Sequence, residues 1–455
     1  MSSIVRTVLP WAAAAITSSG MRSLLRGTAE VRRRVRGEPH RVLYFHQIDD
    51  PYSQLAAQVL PRLAQRWDIT IEPHLVGPPP DAAAPERERL IAWSRIDAAR
   101  VAPFYGLEFP LCERQPSTEA LMLATNLLAT APAESFVAHA AEVGSALWSL
   151  DENRMAALAA NPPAGLSSAS PAAVAAALQR GETLRAELHH YLGAMFHYGG
   201  EWYWGVDRVF YLERRLYDLG LGRRGASTTP CVKRPDLSKT TTVGGSGKGL
   251  TLEFYPSLRS PYSYIAMQRT YALAKQYGVE LLLRPVLPMV MRGLPVPKEK
   301  SRYIIHDTKR EADEAGIAFG HISDPVGRPV ERGFSLYPHA CTEGRGAEYL
   351  LAFARATWSE GVDCGTDEGL RHVVEAAGLS WEAARPWLDG EGWRDELERN
   401  RQQMFDLGLW GVPSYRLIGK AGEPDLPVWG QDRLWLLEAE IRRRGGFVAA
   451  SSVNA

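Results

Sequence analysis

Ser260 stands where a strand signal, Leu250-Thr251-Leu252-Glu253-Phe254-Tyr255, gives way to a helical stretch opened by Pro261-Tyr262-Ser263-Tyr264. A helix N-terminus offers unpaired N–H donors and about half a unit of positive charge. A hydroxyl held there can donate to a thiolate and, with the helix dipole, lower the pKa of that thiol. Ser-Pro is equally an ordinary helix-capping pair. The residue alone supports both readings.

A second element is Trp410-Gly411-Val412-Pro413-Ser414-Tyr415. A proline leading into a strand supplies no ladder donor. A cis bond there would turn the Val412 backbone towards an extended ligand, whereas a trans proline would simply mark an edge loop. A third element, Trp429-Gly430-Gln431-Asp432-Arg433, is expected to open the last helix, where the dipole favours Asp432. Finally, Lys298, Lys300, Tyr303, Asp307 and Arg310 fall at helical spacings. Tyr303 with Asp307, and Asp307 with Arg310, can share one helix face, as a site or as a solvated ion pair.

These elements need a scaffold, and the chain describes it twice. Arg41–His46 reads as a strand, Asp50-Pro51-Tyr52-Ser53 as a turn into an apolar helical stretch from Leu55 to Trp67, and Ile69–Leu75 as the next strand. This β-α-β order implies parallel strands and an α/β class. The same order recurs from Leu250, with Asp50-Pro51-Tyr52-Ser53 matching Ser260-Pro261-Tyr262-Ser263 at a shift of 210. At that shift Asp97, Arg100 and Gly106 match Asp307, Arg310 and Gly316. Trp204-Gly205-Val206-Asp207-Arg208 matches Trp429–Arg433 at a shift of 225. The expectation is a tandem duplication.

The divisions expected are a basic N-terminal helical segment (1–39), a first domain (40–221), a linker (222–249), a second domain (250–446) and a short tail (447–455). The linker is rich in Gly, Ser and Thr. Ala156–Leu184 and Leu350–Leu397 read as helical insertions. In the first copy Asp50 replaces the serine, and a carboxylate beside a thiolate would raise its pKa. Met195 is placed near the position of Pro413. The first copy is therefore expected to be degenerate, with packing against the second copy as a pseudo-dimer within one chain.

The 455 residues carry 52 basic and 52 acidic side chains, so no overall field selects nucleic acid. Cys112, Cys231, Cys341 and Cys364 show neither C-x-x-C nor zinc spacing, which excludes a dithiol centre and gives no metal site. Val8–Thr17 is apolar but too short to span a bilayer. The arginines that follow it allow a weak membrane-surface contact by residues 1–36, or a helix packed on the first domain. A cytoplasmic protein is expected.

Strand–Ser-Pro-Tyr-Ser-Tyr–helix, Lys-x-x-Tyr-x-x-x-Asp-x-x-Arg, Gly-Val-Pro and Trp-Gly-Gln-Asp-Arg-Leu, in that order, resemble the 2-hydroxychromene-2-carboxylate isomerases. These are akin to kappa-class glutathione transferases in the DsbA-like thioredoxin branch. The resemblance covers residues 249 to about 444. It implies two tandem thioredoxin-like domains with helical insertions, glutathione as cofactor and a small unsaturated or aromatic metabolite as substrate. It assigns Ser260 to the glutathione sulfur and Val412 with Pro413 to the cysteinyl part. Gln431 and Asp432 fall to the γ-glutamyl end. Tyr262, Lys300, Tyr303, Asp307, Arg310 and Trp410 become substrate-pocket candidates. The family's asparagines are missing from Arg292-Gly293-Leu294-Pro295 and Tyr337-Pro338-His339-Ala340. Those departures bear on the chromene substrate, not on glutathione. The rival readings are a DsbA-like oxidoreductase relative lacking redox cysteines, and a non-catalytic binding or scaffold protein.

Overall fold

A computed structural model describes residues 3–225, 229–237, 242–420 and 422–449. The chain divides into two compact units, Ser23–Pro235 and Met1–Arg22 with Asp236–Ala455.

In the first unit the aromatic and β-branched run Arg41–His46 forms strand β1, with Val42, Tyr44 and Phe45 wholly buried. It pairs in parallel with β2 (Thr70–Leu75) and antiparallel with β3 (Met195–Tyr198), which pairs with β4 (Glu201–Trp204). The order is β2-β1-β3-β4. The expected Leu55–Trp67 helix is two helices, α3 (Pro51–Ala57) and α4 (Leu60–Arg66). Pro61 explains the break, since it brings no N–H to continue the ladder.

The second unit repeats this plan. Strand β6 (Thr251–Tyr255) pairs in parallel with β7 (Glu280–Leu283) and antiparallel with β8 (Ser414–Ile418), which pairs with β9 (Leu426–Trp429). The order is β7-β6-β8-β9. A two-stranded ribbon joins β5 (Thr242–Val243) to β10 (Val448–Ala449). Both four-stranded sheets carry helices between their second and third strands, and the fold is α/β. The helical parts are wider than the sequence suggested. They run from Thr118 to Glu187 with breaks, and from Lys298 to Asp406. Proline and glycine punctuate them.

Contacts repeat as well as strands. Ser53 Oγ accepts the Gln47 N–H at 3.1 Å, and Ser263 Oγ accepts the Ser257 N–H at 3.2 Å. Trp67 Nε1 donates to Glu213 at 3.1 Å, where Tyr277 Oη donates to Glu438 at 2.7 Å. Gly106 and Gly316 both sit at left-handed φ, +65° and +67°, ending helices that a side chain would strain.

The N-terminal segment does not pack as one piece on the first domain. Helix α1 (Ser3–Thr17) groups with the second unit, where the Trp11 ring meets His321 at 4.6 Å and Arg22 pairs with Asp313 at 3.0 Å. From Ser23 onward, helix α2 (Ser19–Val35) belongs to the first unit, held by Arg26 on Glu201 at 2.9 Å. The segment expected as a linker divides at Asp236. Its residues 226–228 and 238–241, and residues 450–455 of the tail, lie outside the described residues. Among the described residues no helix is long and apolar enough to cross a membrane.

Candidate functional site

The C-terminal end of β6 brings together the segments that carry Ser260, Val412 with Pro413, and Gln431 with Asp432. Tyr255, its last residue, pairs with Ser414, and Ser414 pairs with Trp429. Val412 and Pro413 therefore precede β8 at the same edge from which residues 256–260 lead into the Pro261–Tyr277 helix. The Val412–Pro413 peptide is cis. Pro413 is fixed by the Gly430 N–H on its carbonyl at 2.9 Å. Among the described residues, neither backbone polar group of Val412 has a partner in the fold.

Ser260 is the N-cap of that helix, and its Oγ accepts the Ser263 N–H at 3.1 Å. The hydroxyl proton donates to no described residue. The loop before it is held from two sides. Arg259 makes a two-pronged pair with Asp324, both bonds 2.7 Å, and Trp358 Nε1 donates to the Leu258 carbonyl at 3.2 Å. Sequence reasoning missed Ser257, whose buried hydroxyl has no hydrogen-bond partner among the described residues.

Tyr262, Asp307 and Arg310 form one cluster. Tyr262 Oη donates to one oxygen of the buried Asp307 at 2.7 Å, and Arg310 donates to the other at 2.7 Å. Thus Asp307 shares a face with Arg310 and ties the Lys298–Glu314 helix to the Ser260 helix. Lys300 and Trp410 form a second cluster, with the ammonium 5.6 Å from the indole ring centre. Burial pushes the Lys300 pKa down to about 8. Trp410 packs on Trp429 at 5.2 Å, and its buried indole N–H has no partner among the described residues. Tyr303 is half-buried on the same helix as Lys300.

The last element differs from its expectation. Gln431, Asp432 and Arg433 form a 3₁₀ turn ahead of the Leu434–Gly445 helix, because Gly430 turns the chain at φ +104°. Gln431 is buried and committed within the fold. Its Oε1 accepts from Arg269 at 2.9 Å, and its Nε2 donates to Glu311 at 2.8 Å and also reaches Asp432. Arg269 and Glu311 carried no motif signal, since only the tertiary fold brings them to Gln431.

The first unit shows what the same edge becomes without these groups. Asp50 caps α3, accepting from the N–H groups of Tyr52 and Ser53 and from Ser53 Oγ. Burial still raises its pKa to about 7. Tyr52 donates to Asp97 at 2.8 Å, so the tyrosine–aspartate tie is present there too. Met195 does not occupy the place of Pro413. Met195 pairs with Phe45 and Trp204, as Ser414 pairs with Tyr255 and Trp429. Ala194 holds the proline position, its carbonyl accepting the Gly205 N–H at 2.7 Å, and its φ is +53°. The register, invisible in the sequence, moves the match by one residue.

Residues 251–442 match the DSBA-like thioredoxin domain family. The second unit carries a DsbA-like thioredoxin domain. The chain is similar to the 2-hydroxychromene-2-carboxylate isomerase of Pseudomonas putida, 25% identical over 202 residues, which is 43% of this chain and 95% of that protein. It is likewise similar to that of Sphingobium xenophagum, 26% identical over 203 residues, or 42% of this chain and 97% of that protein. A solved 2-hydroxychromene-2-carboxylate isomerase superposes with a TM-score of 0.36 at 24% identity, covering 42% of this chain and 95% of its own. In sequence, no cysteine lies between Cys231 and Cys341, the stretch that contains Ser260. The Cys341 and Cys364 thiols of the second unit, and Cys112 and Cys231 of the first unit, are free and all pushed up by burial.

Proposed function

We propose that the DsbA-like domain is a glutathione-dependent isomerase or transferase acting on a small unsaturated or aromatic metabolite, as its similarity to isomerases suggests. The observation that carries the reading is Ser260. Its oxygen is used to cap a helix while its proton remains available, at the edge where the Val412 backbone is also unspent.

These residues fit glutathione. The Val412 N–H and C=O offer the paired main-chain bonds a cysteinyl residue takes. Ser260 offers a donor to sulfur, and the helix dipole adds positive potential. Asp432 is assigned to the γ-glutamyl end, with Gln431 positioning it through their mutual contact. When bound, glutathione supplies a nucleophilic thiolate. The chain's own part is to hold the Ser260 proton toward the sulfur, which favours the charged form. Lys300 and Trp410 then offer a cation and an aromatic face to the second substrate.

The same reading takes the first unit as a copy that lost the site. Asp50 presents a carboxyl group, already accepting three hydrogen bonds, where the second unit presents the Ser260 hydroxyl, and Ala194 replaces Pro413. It also moves Tyr262, Asp307 and Arg310 from the pocket to the frame, since Tyr52 and Asp97 keep their tie without the site. Thiol absorbance of added glutathione near 240 nm tests the proposal. Wild type should show thiolate at neutral pH, and Ser260→Ala should lose it. Absence of any glutathione binding to wild type by calorimetry would favour a scaffold role instead.

A further inference from the structure

Helix α2 turns Arg26 and Arg33 toward the protein and leaves its apolar side chains, with Arg32 and Arg34, exposed. Arg22 and Arg26 bond to Asp313 and Glu201, while Arg33 reaches Glu30 and the Glu38 carbonyl. Arg26 holds the helix to the first unit through Glu201, and Arg33, seven residues on, lies on the same face while closing on the helix's own Glu30 and the Glu38 carbonyl. The opposite face carries Leu24, Thr28, Val31 and Val35, again at spacings of four, three and four. Leu24 is 60% exposed, Val31 61% and Val35 82%, with Leu25 at 57% beside them. No residue of this helix is buried. A helix of a globular protein ordinarily turns its apolar stripe to the core, so this one presents a stripe that the chain itself does not cover.

Charge identifies the cover. Arg32 is exposed beside the stripe and, among the described residues, has no ion pair. Arg34 and Arg36 remain 71% and 57% exposed at the same end, despite loose or shared contacts with Glu30 and Glu38. An apolar stripe bordered by guanidinium groups suits a layer that is anionic at its surface and apolar just beneath. The stripe itself carries no acidic side chain to meet the guanidinium groups of a second copy. We propose that α2 docks this protein on an anionic lipid bilayer, lying in the interface with Leu24, Val31 and Val35 in the acyl boundary and Arg32, Arg34 and Arg36 among the headgroups.

Flotation of the full chain with vesicles tests this, using phosphatidylcholine alone or with about one third phosphatidylglycerol. The protein should float with the anionic vesicles, fall at least tenfold in bound fraction with neutral ones, and release as salt rises. The triple variant Leu24→Ser, Val31→Ser, Val35→Ser alters only exposed side chains, so circular dichroism should be unchanged while flotation is lost. Arg32→Glu should weaken binding to anionic vesicles several-fold. No flotation of folded wild type with either vesicle would overturn the proposal. So would a wild-type dimer in light scattering that the triple variant makes monomeric without any vesicle binding, since the stripe would then be covered by a second copy.

Discussion

Tyr262 donates its hydroxyl to the buried carboxylate of Asp307 at 2.7 Å, fastening the helix that begins at Ser260 to the helix that bears Lys300. The first unit makes the same bond between Tyr52 and Asp97 at 2.8 Å, although its cap is an aspartate and its Pro413 position an alanine. A contact kept where the candidate chemistry is lost belongs to the frame.

Tyr262→Phe should therefore cost stability first. A hydrogen bond to a buried charged group is worth about 1.5–3 kcal/mol, which for a unit of this size lowers the midpoint of melting by roughly 3–10 °C. Tyr52→Phe should destabilise the first unit by a similar amount. Calorimetric scans of both variants check this. A Tyr262→Phe protein with unchanged melting but lost turnover would return Tyr262 to the substrate pocket.

Ser260→Asp separates capping from chemistry. Asp50 shows that a carboxyl group caps this position, accepting two backbone N–H groups, while its pKa of about 7 shows that burial penalises the charged form there. Denaturant unfolding below that pKa should therefore shift by no more than about 0.5 kcal/mol, since aspartate and serine are near-equal caps. Glutathione thiolate formation should nevertheless be lost, because a carboxylate raises the pKa of an adjacent thiol. Ser260→Ala is expected to lose both, with the cap worth about 1 kcal/mol. If the aspartate variant keeps the thiolate signal, the serine proton is not what stabilises it.

The strands and the Ser260, Pro413 and Asp307 motifs were legible because they rest on local patterns: alternation, β-branched runs, a proline at the first helical position. What was not legible depends on partners far along the chain. Whether Met195 or Ala194 stands opposite Pro413 is a question of strand register, and a slip of one residue leaves composition unchanged. The burial of Gln431 between Arg269 and Glu311 joins residues 162 and 120 positions apart. The division of the N-terminal segment turns on Trp11 finding His321 and Arg26 finding Glu201, which no periodicity encodes.

Lys300 gives a pH signature. Its folded pKa, about 8, lies below the ordinary lysine value because burial disfavours the ammonium. Between about pH 8 and 10.5 the unfolded chain binds more protons at this side chain, so its contribution makes stability rise with pH across that window. Lys300→Met removes the buried charge and should stabilise the protein at pH 7, by an amount on the order of 2–3 kcal/mol. The difference between wild type and Lys300→Met should shrink as pH climbs to 10.5. A constant difference from pH 7 to 10.5 would mean that Lys300 is solvated. If Lys300 also anchors substrate, KM should rise in the same variant with binding of glutathione unchanged.

Asp50 carries the opposite sign. Burial raises its carboxyl to about 7, above the ordinary aspartate value, against the pull of the Ser53 hydroxyl and two backbone N–H groups. The folded protein then binds more protons than the unfolded chain between about pH 4 and 7, so this residue's share of stability is present below pH 4 and is lost as pH rises to 7. Asp50→Asn keeps one of the two oxygens that accept the Tyr52 and Ser53 N–H groups, a loss that does not vary with pH, and removes the titration. Relative to wild type, the asparagine variant should gain stability steadily from about pH 4 to 7 and change little above. Urea midpoints at half-unit pH steps measure it. A flat difference across that range would show a carboxyl that stays ionised at the head of α3, and the first unit would then keep a permanent negative charge at the position where the second unit keeps the Ser260 hydroxyl.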